Sequence, residues 1–251
     1  MEKPVTLDAP LTSLPGIGPQ RAALFARLNV RTVGELLRLY PRTYEDRTRL
    51  VSIASLEAGT PACFEAAVVT TPRTNRIPKP GSRMLEVTKF TVADDTGRLN
   101  LTFFNAAHSA GALRVGERYC FYGVLTGDFA AYGMTNPLFE PCDGPAHVTR
   151  RILPVYPLTA GLTNSMVLRA QAQAVSRCAG LLPETLPPEL LRRYGLCGAA
   201  EACREIHCPT SAAALGRAQR RLVFEEFFLF SAALAIVRSR RTAHSCPAWQ
   251  T

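Results

Sequence analysis

Leu85-Glu-Val-Thr-Lys-Phe-Thr-Val-Ala-Asp-Asp-Thr-Gly-Arg-Leu-Asn-Leu-Thr-Phe-Phe-Asn105 is the stretch that decides the fold. Asp94, Asp95, Thr96 and Gly97 form a turn signal between two runs that alternate apolar and polar residues, the pattern of a β-hairpin. Successive side chains of a strand point to opposite faces, so Leu99, Leu101 and Phe103 share one face and Asn100, Thr102 and Phe104 the other. A face of Asn, Thr and Phe is not a core. Parity therefore puts Phe104 in the open, unless a bulge tucks both rings inside or a following helix covers it. An exposed ring at a strand end on a basic protein is a platform on which a nucleic-acid base can stack.

Outward from the hairpin, residues 60–142 read as an all-β module. Phe64, Ala66 and Val68 alternate in a first strand, the hairpin supplies the second and third, Tyr119 to Leu125 a fourth, and Ala131 to Asn136 a short fifth. Five strands with Gly-containing turns in about 80 residues fit an OB-type barrel. Between the first two strands, residues 72–83 hold Arg73, Arg76, Lys79 and Arg83 and no acid. This segment reads either as a basic loop flanking the ligand face or as a solvated linker. Arg98 opens the third strand as a further cation.

The chain before the barrel divides in two. Residues 1–10 read as a disordered lead-in. Residues 11–59 begin with Leu14-Pro-Gly-Ile-Gly-Pro19, in which Gly16 and Gly18 permit a tight turn and Pro19 suits a first helical position. A second helix starts at the N-cap Thr32 and runs to Leu39. The pair reads as a helix-hairpin-helix, whose turn offers backbone N–H groups to a phosphate, or as a hairpin that only packs on its neighbour. Arg42 and Arg47, in Pro41-Arg-Thr-Tyr-Glu-Asp-Arg47, either touch phosphate or pair with Glu45 and Asp46. After the barrel, residues 143–162 are a Pro-rich connection and 163–241 are helical. There Thr163 caps a helix through Cys178, Gly195 closes another, and a long helix runs from about Ser211 to Arg240. Phe224 to Val237 is apolar nearly all round, and little remains in the chain to bury it, so it is expected to pack against the barrel and against something absent from this chain. Residues 242–251 form an atypical tail.

Composition narrows the partners. The 251 residues carry a net charge of +9, and of the 29 Lys and Arg only Lys3, Lys79 and Lys89 are Lys. An Arg-rich basic chain suits phosphate-bearing partners, although a GC-rich genome produces the same bias. There is no apolar leader and no 20-residue apolar run, so a cytoplasmic location is expected. The eight cysteines include no Cys-x-x-Cys pair, and Cys197, Cys203, His207 and Cys208 match no standard ligand spacing, so no metal is expected. The four histidines are scattered, which speaks against a metallonuclease acting alone.

The motifs, taken in order, carry a resemblance: Leu-Pro-Gly-Ile-Gly, Pro41 to Arg47, the barrel with Phe103-Phe104-Asn105, Pro154-Val-Tyr-Pro157, Glu205-Ile-His-Cys-Pro209 and Arg221-Leu-Val-Phe-Glu-Glu226. Over about residues 11–241 the chain resembles the N-terminal half of the bacterial ATP-dependent DNA helicase RecG. The resemblance implies an α+β architecture: an N-terminal helical hairpin, a five-stranded OB-fold wedge and a C-terminal helical segment towards a helicase motor. It implies binding to forked or four-way DNA in recombination and repair, with Phe104 stacking where the arms part and Phe103 as a neighbour that shares the role. It also implies a meeting with the single-stranded-DNA-binding protein, whose acidic tail suits the basic loop and gives an alternative reading as a peptide-binding module.

Two departures limit what carries over. Thr43 stands where the family commonly has Arg. No Gly-x-x-x-x-Gly-Lys-Ser/Thr loop occurs, so ATP and Mg²⁺ would belong to a motor outside this sequence, and the chain is expected to be an inactive fragment or truncation.

Overall fold

A computed structural model describes residues 5–78, 84–127, 132–144 and 148–243. In chain order the elements are α1 (Pro19–Ala26), α2 (Val33–Leu37), β1 (Thr43–Asp46), β2 (Leu50–Val51), β3 (Pro61–Val68), β4 (Arg73–Ile77), β5 (Leu85–Ala93), β6 (Arg98–Phe104), α3 (Ala107–Ala110), β7 (Arg118–Thr126), β8 (Gly133–Thr135), β9 (Leu138–Pro141), β10 (Ile152–Val155), α4 (Asn164–Cys178), α5 (Pro188–Tyr194), α6 (Ala199–His207) and α7 (Ala212–Ala243). They form two compact units, residues 45–153 and residues 1–44 with 154–251.

The first of these units is the barrel. β5 and β6 pair antiparallel through the predicted turn, with Val87 opposite Phe104 and Ala93 opposite Arg98. The turn is held by Asp94, whose Oδ1 accepts from the Thr96 and Gly97 amides at 2.8 and 2.9 Å while Oδ2 accepts from Ile53 N at 2.7 Å. β6 runs parallel to β8, β8 pairs with β7, and a long antiparallel ladder from Pro61↔Val124 to Ala67↔Arg118 closes β7 onto β3. The circuit β3-β5-β6-β8-β7 is the closed five-stranded barrel of an OB fold. Its core is aromatic: Phe90 stacks on Phe103 with ring centres 5.7 Å apart, and Phe64 on Phe121 at 5.4 Å. At Gly133 a Cβ would lie 2.8 Å from the Asn100 carbonyl oxygen, so glycine is what lets β8 approach β6.

One difference concerns residues 72–83. Arg73–Ile77 is not a loop but a strand, β4, paired along its length with β5. Pro72 and Pro78 flank it, outside the ladder, where a missing N–H costs no hydrogen bond. Lys79 and Arg83 lie outside the described residues.

The other unit has its own core. Leu11, Leu14, Phe25, Val33 and Leu36 pack with Val167, Ala170 and Ala174 of α4 and Cys203 of α6. Segments read separately in the sequence thus share one interior. The capping box at Thr32 and Glu35 starts α2, and Thr163 caps α4 by accepting from Met166 N. Residues 5–10 of the lead-in are held in place. Leu7 O and Ala9 O accept from the amides of Gly34 and Val33 at 2.7 and 3.0 Å, satisfying donors that the first turn of α2 leaves without intrahelical partners. Buried Arg221 binds Glu184 and Glu225. His207 accepts at Nδ1 from the Tyr156 hydroxyl (2.9 Å) and donates from Nε2 to Leu37 O (2.8 Å), so both ring nitrogens are engaged.

The second half of α7 departs from expectation. Phe227 is 69% exposed and Phe230 64%, and Leu229, Ile236 and Val237 are also exposed, where burial had been expected. Among the described residues no helix is long and apolar enough to cross a membrane.

Candidate nucleic-acid interface

The register of the hairpin builds the site. Because Lys89 faces Thr102 and Thr91 faces Asn100, these side chains share the outward face of β5 and β6 with Phe104. Arg73 of β4 stands opposite Lys89, and Thr135 of β8 opposite Thr102. Arg73, Lys89, Asn100 and Thr135 are exposed. Together with Thr91 and Thr102 they line an open groove of about 770 Å³. Its lining is cationic and rich in hydroxyl and amide groups, suited to a polyanionic strand.

Phe104 stands at the end of this face, 38% exposed. Its position is fixed from both sides. The Phe104 amide donates to Asn136 Oδ1 at 2.8 Å. Asn105 adopts a left-handed backbone (φ 51°), donates from its amide to Glu86 O at 2.8 Å and accepts from Glu86 N at 3.2 Å. The ring is thus carried on a pinned strand end rather than on a loop.

A model of one family, described as the RecG wedge domain, matches residues 11–177. The chain belongs to that family. A RecG helicase from Escherichia coli (strain K12) is 32% identical over 93% of this chain and 34% of its own length. The RecG helicase of Synechocystis is 30% identical over 89% of this chain and 28% of its own length. A solved structure of RecG bound to a three-way DNA junction superposes with a TM-score of 0.84 at 25% identity, over 97% of this chain and 33% of that one. The chain therefore spans about a third of the length of these RecG relatives.

Measured against the RecG wedge expectations, the site residues divide. Phe103 is 3% exposed, stacked on Phe90 and edge-on to Phe139 at 5.9 Å. The expectation that it shares a stacking role is corrected: a ring sealed in the barrel cannot meet a base. Arg47 is corrected likewise. It is 6% exposed, binds Glu45, donates from Nη1 to Val148 O at 2.7 Å and lies 3.7 Å over the Tyr122 ring. Of the two readings for this arginine, pairing with Glu45 is the one the structure has.

The remaining cations differ in what they offer. Arg73 is exposed in the groove. Arg76, of opposite parity on β4, pairs with Glu86 at 3.1 Å and its charge is partly compensated. Arg98 is exposed at the far end of β6 from Phe104, roughly 20 Å away at strand rise. Gly16, Gly18 and Arg42 belong to the other unit. Gly16 supplies a left-handed turn (φ 78°) whose carbonyl accepts from Arg21 at 2.6 Å, and Gly18 precedes α1. Arg42 is exposed.

Sequence reasoning missed Lys89, Asn100, Thr135 and the pinning amide of Asn136. Lys89 was within reach of the same parity argument that singled out Phe104, once the four-residue turn fixed the register. Thr135 and Asn136 depend on the parallel β6–β8 pairing, which no local pattern announces.

Proposed function

We propose that this chain is the junction-binding wedge of a RecG-type ATP-dependent DNA helicase, and that it holds branched DNA where the arms part. The observation that carries the proposal is the placement of Phe104, exposed on a pinned strand end beside a groove bearing Arg73 and Lys89. The backbone of a parting strand lies against the cations and polar groups of the groove, and its terminal unpaired base stacks on the ring, an interaction of roughly 1–3 kcal/mol per base. The RecG structure with a three-way junction supports the choice of a branched ligand. In this reading ATP and Mg²⁺ act in a motor formed by residues outside this sequence, because no phosphate-binding loop motif occurs within it.

The test compares binding of this chain to a forked oligonucleotide and to a plain duplex of the same length. The fork is bound more tightly, and Phe104→Ala removes most of that preference while general affinity changes less. A variant that keeps full fork preference refutes the stacking role. Competition by an acidic peptide with the sequence of the tail of single-stranded-DNA-binding protein, at concentrations that displace duplex and fork equally, would instead favour peptide binding as the barrel's task.

A further inference from the structure

Away from the groove, the outer face of β3, β7 and β9 carries a cluster with different chemistry. Glu65 of β3 stands directly opposite Cys120 of β7, and Cys142 follows β9, its amide donating to Arg118 O. The two sulfurs are 3.4 Å apart. A carboxylate oxygen of Glu65 and both sulfurs lie within 4.8 Å of one another. Cys120 is buried and Cys142 partly so.

We infer that Cys120, Cys142 and Glu65 form a site for a thiophilic divalent cation of the zinc class, with solvent in the fourth position. Three arguments support it. The first is geometric: two thiolates on one tetrahedral zinc sit about 3.8 Å apart for Zn–S bonds of about 2.3 Å, so the sulfurs need little movement. The second is rigidity. Glu65 and Cys120 face each other on paired strands of the closed barrel, and Cys142 sits in the turn directly after β9, held to β7 by its amide bond to Arg118 O, so the three donors are already together.

The third is charge. Without metal, Glu65 is balanced by Arg118 at 2.9 Å. With a divalent cation, two thiolates cancel its charge and the Glu65–Arg118 pair again cancels itself. Loading therefore leaves no uncompensated charge on the strands, and the released protons leave with solvent. The bound ion would clip β9 to β3 through β7. Cys120 and Cys142 are separated by 22 residues and match no ligand spacing, which is why the sequence does not announce them.

The test uses the 251-residue chain, stripped of metal with a chelator and kept reduced with a phosphine. It is titrated with Co²⁺ as a spectroscopic substitute for zinc. One equivalent is expected to give thiolate-to-cobalt charge-transfer absorption that added Zn²⁺ abolishes. Cys142→Ser, at a partly exposed position, should weaken the band and lower affinity by at least about tenfold, and Glu65→Gln should lower affinity by about tenfold while keeping the band. Cys63→Ser and Cys203→Ser should change neither, with circular dichroism showing each variant folded. Absence of the band in the unaltered chain overturns the inference. So does a band that survives Cys142→Ser at full strength, or one lost with Cys203→Ser.

Discussion

Phe103 and Phe104 are adjacent in sequence and opposite in consequence. Phe103→Ala empties a space between Phe90 and Phe139 in the barrel core, and is expected to cost about 3–5 kcal/mol of stability, read as a lower urea midpoint. Phe104→Ala removes a ring that is already more than a third in water, and the stability should move by less than about 1 kcal/mol. If the two variants lose stability equally, strand parity has been misread. His207 gives a second prediction at this scale. Burial depresses its pKa from 6.5 to about 4, against the opposing pull of the Leu37 carbonyl. The folded state therefore refuses a proton that the unfolded chain accepts below pH 6.5. Stability from this group is complete above that pH and lost as pH falls towards about 4. Near pH 5 the loss is about 2 kcal/mol. Unfolding measured at pH 7.5 and 5 should show that drop in the unaltered chain and a smaller one in His207→Gln, which cannot take up the proton.

Elements tell a parallel story about closure. β8 is three residues long, yet it completes the barrel by running parallel to β6 and antiparallel to β7. Gly133→Ala would place a methyl 2.8 Å from the Asn100 carbonyl oxygen, which is backbone and cannot swing aside. The expected cost is about 1–3 kcal/mol with loosening of β8, visible as faster amide exchange in Met134 and Thr135. Wild-type exchange rates in that variant would mean the strands have room to spare. The five barrel strands were legible because period-two alternation is a local signal, and the caps at Thr32 and Thr163 because side-chain capping is local too. β4 was not, since Pro72 and Pro78 at its ends read as loop punctuation although an edge strand tolerates them there. Nor was the ordered lead-in: Leu7 and Ala9 contribute carbonyls to α2 rather than an apolar pattern of their own. The apolar run of α7 predicted burial, but Phe227 and Phe230 are exposed, because composition records what a helix can bury and not what covers it.

At the scale of the whole molecule the question is what would let a chain of net charge +9 distinguish a fork from any other DNA, as the proposed function requires. Charge alone cannot do it. Each phosphate neutralised steepens the dependence of log affinity on log salt by about 0.7 for single strands and about 0.9 for duplex, whatever the shape of the DNA. A groove cation and a stacking ring should therefore separate in one experiment. Lys89→Ala, or Arg73→Ala, is expected to weaken fork and duplex binding together and to lower the salt slope by about 0.7–0.9 per cation removed. The ratio of the two affinities should stay where it was. Phe104→Ala should leave the slope unchanged and lower the fork-to-duplex ratio by about 5- to 150-fold, the equivalent of a stacking loss of about 1–3 kcal/mol. Arg47→Ala should do neither in the fraction that remains folded, because its guanidinium is enclosed by Glu45, Val148 and Tyr122. Its effect belongs to stability. The decisive measurement is a salt titration of fork and duplex affinity for all these variants. Should Lys89→Ala change the ratio while Phe104→Ala changes only the slope, the groove would be the reader of the branch and the ring a bystander.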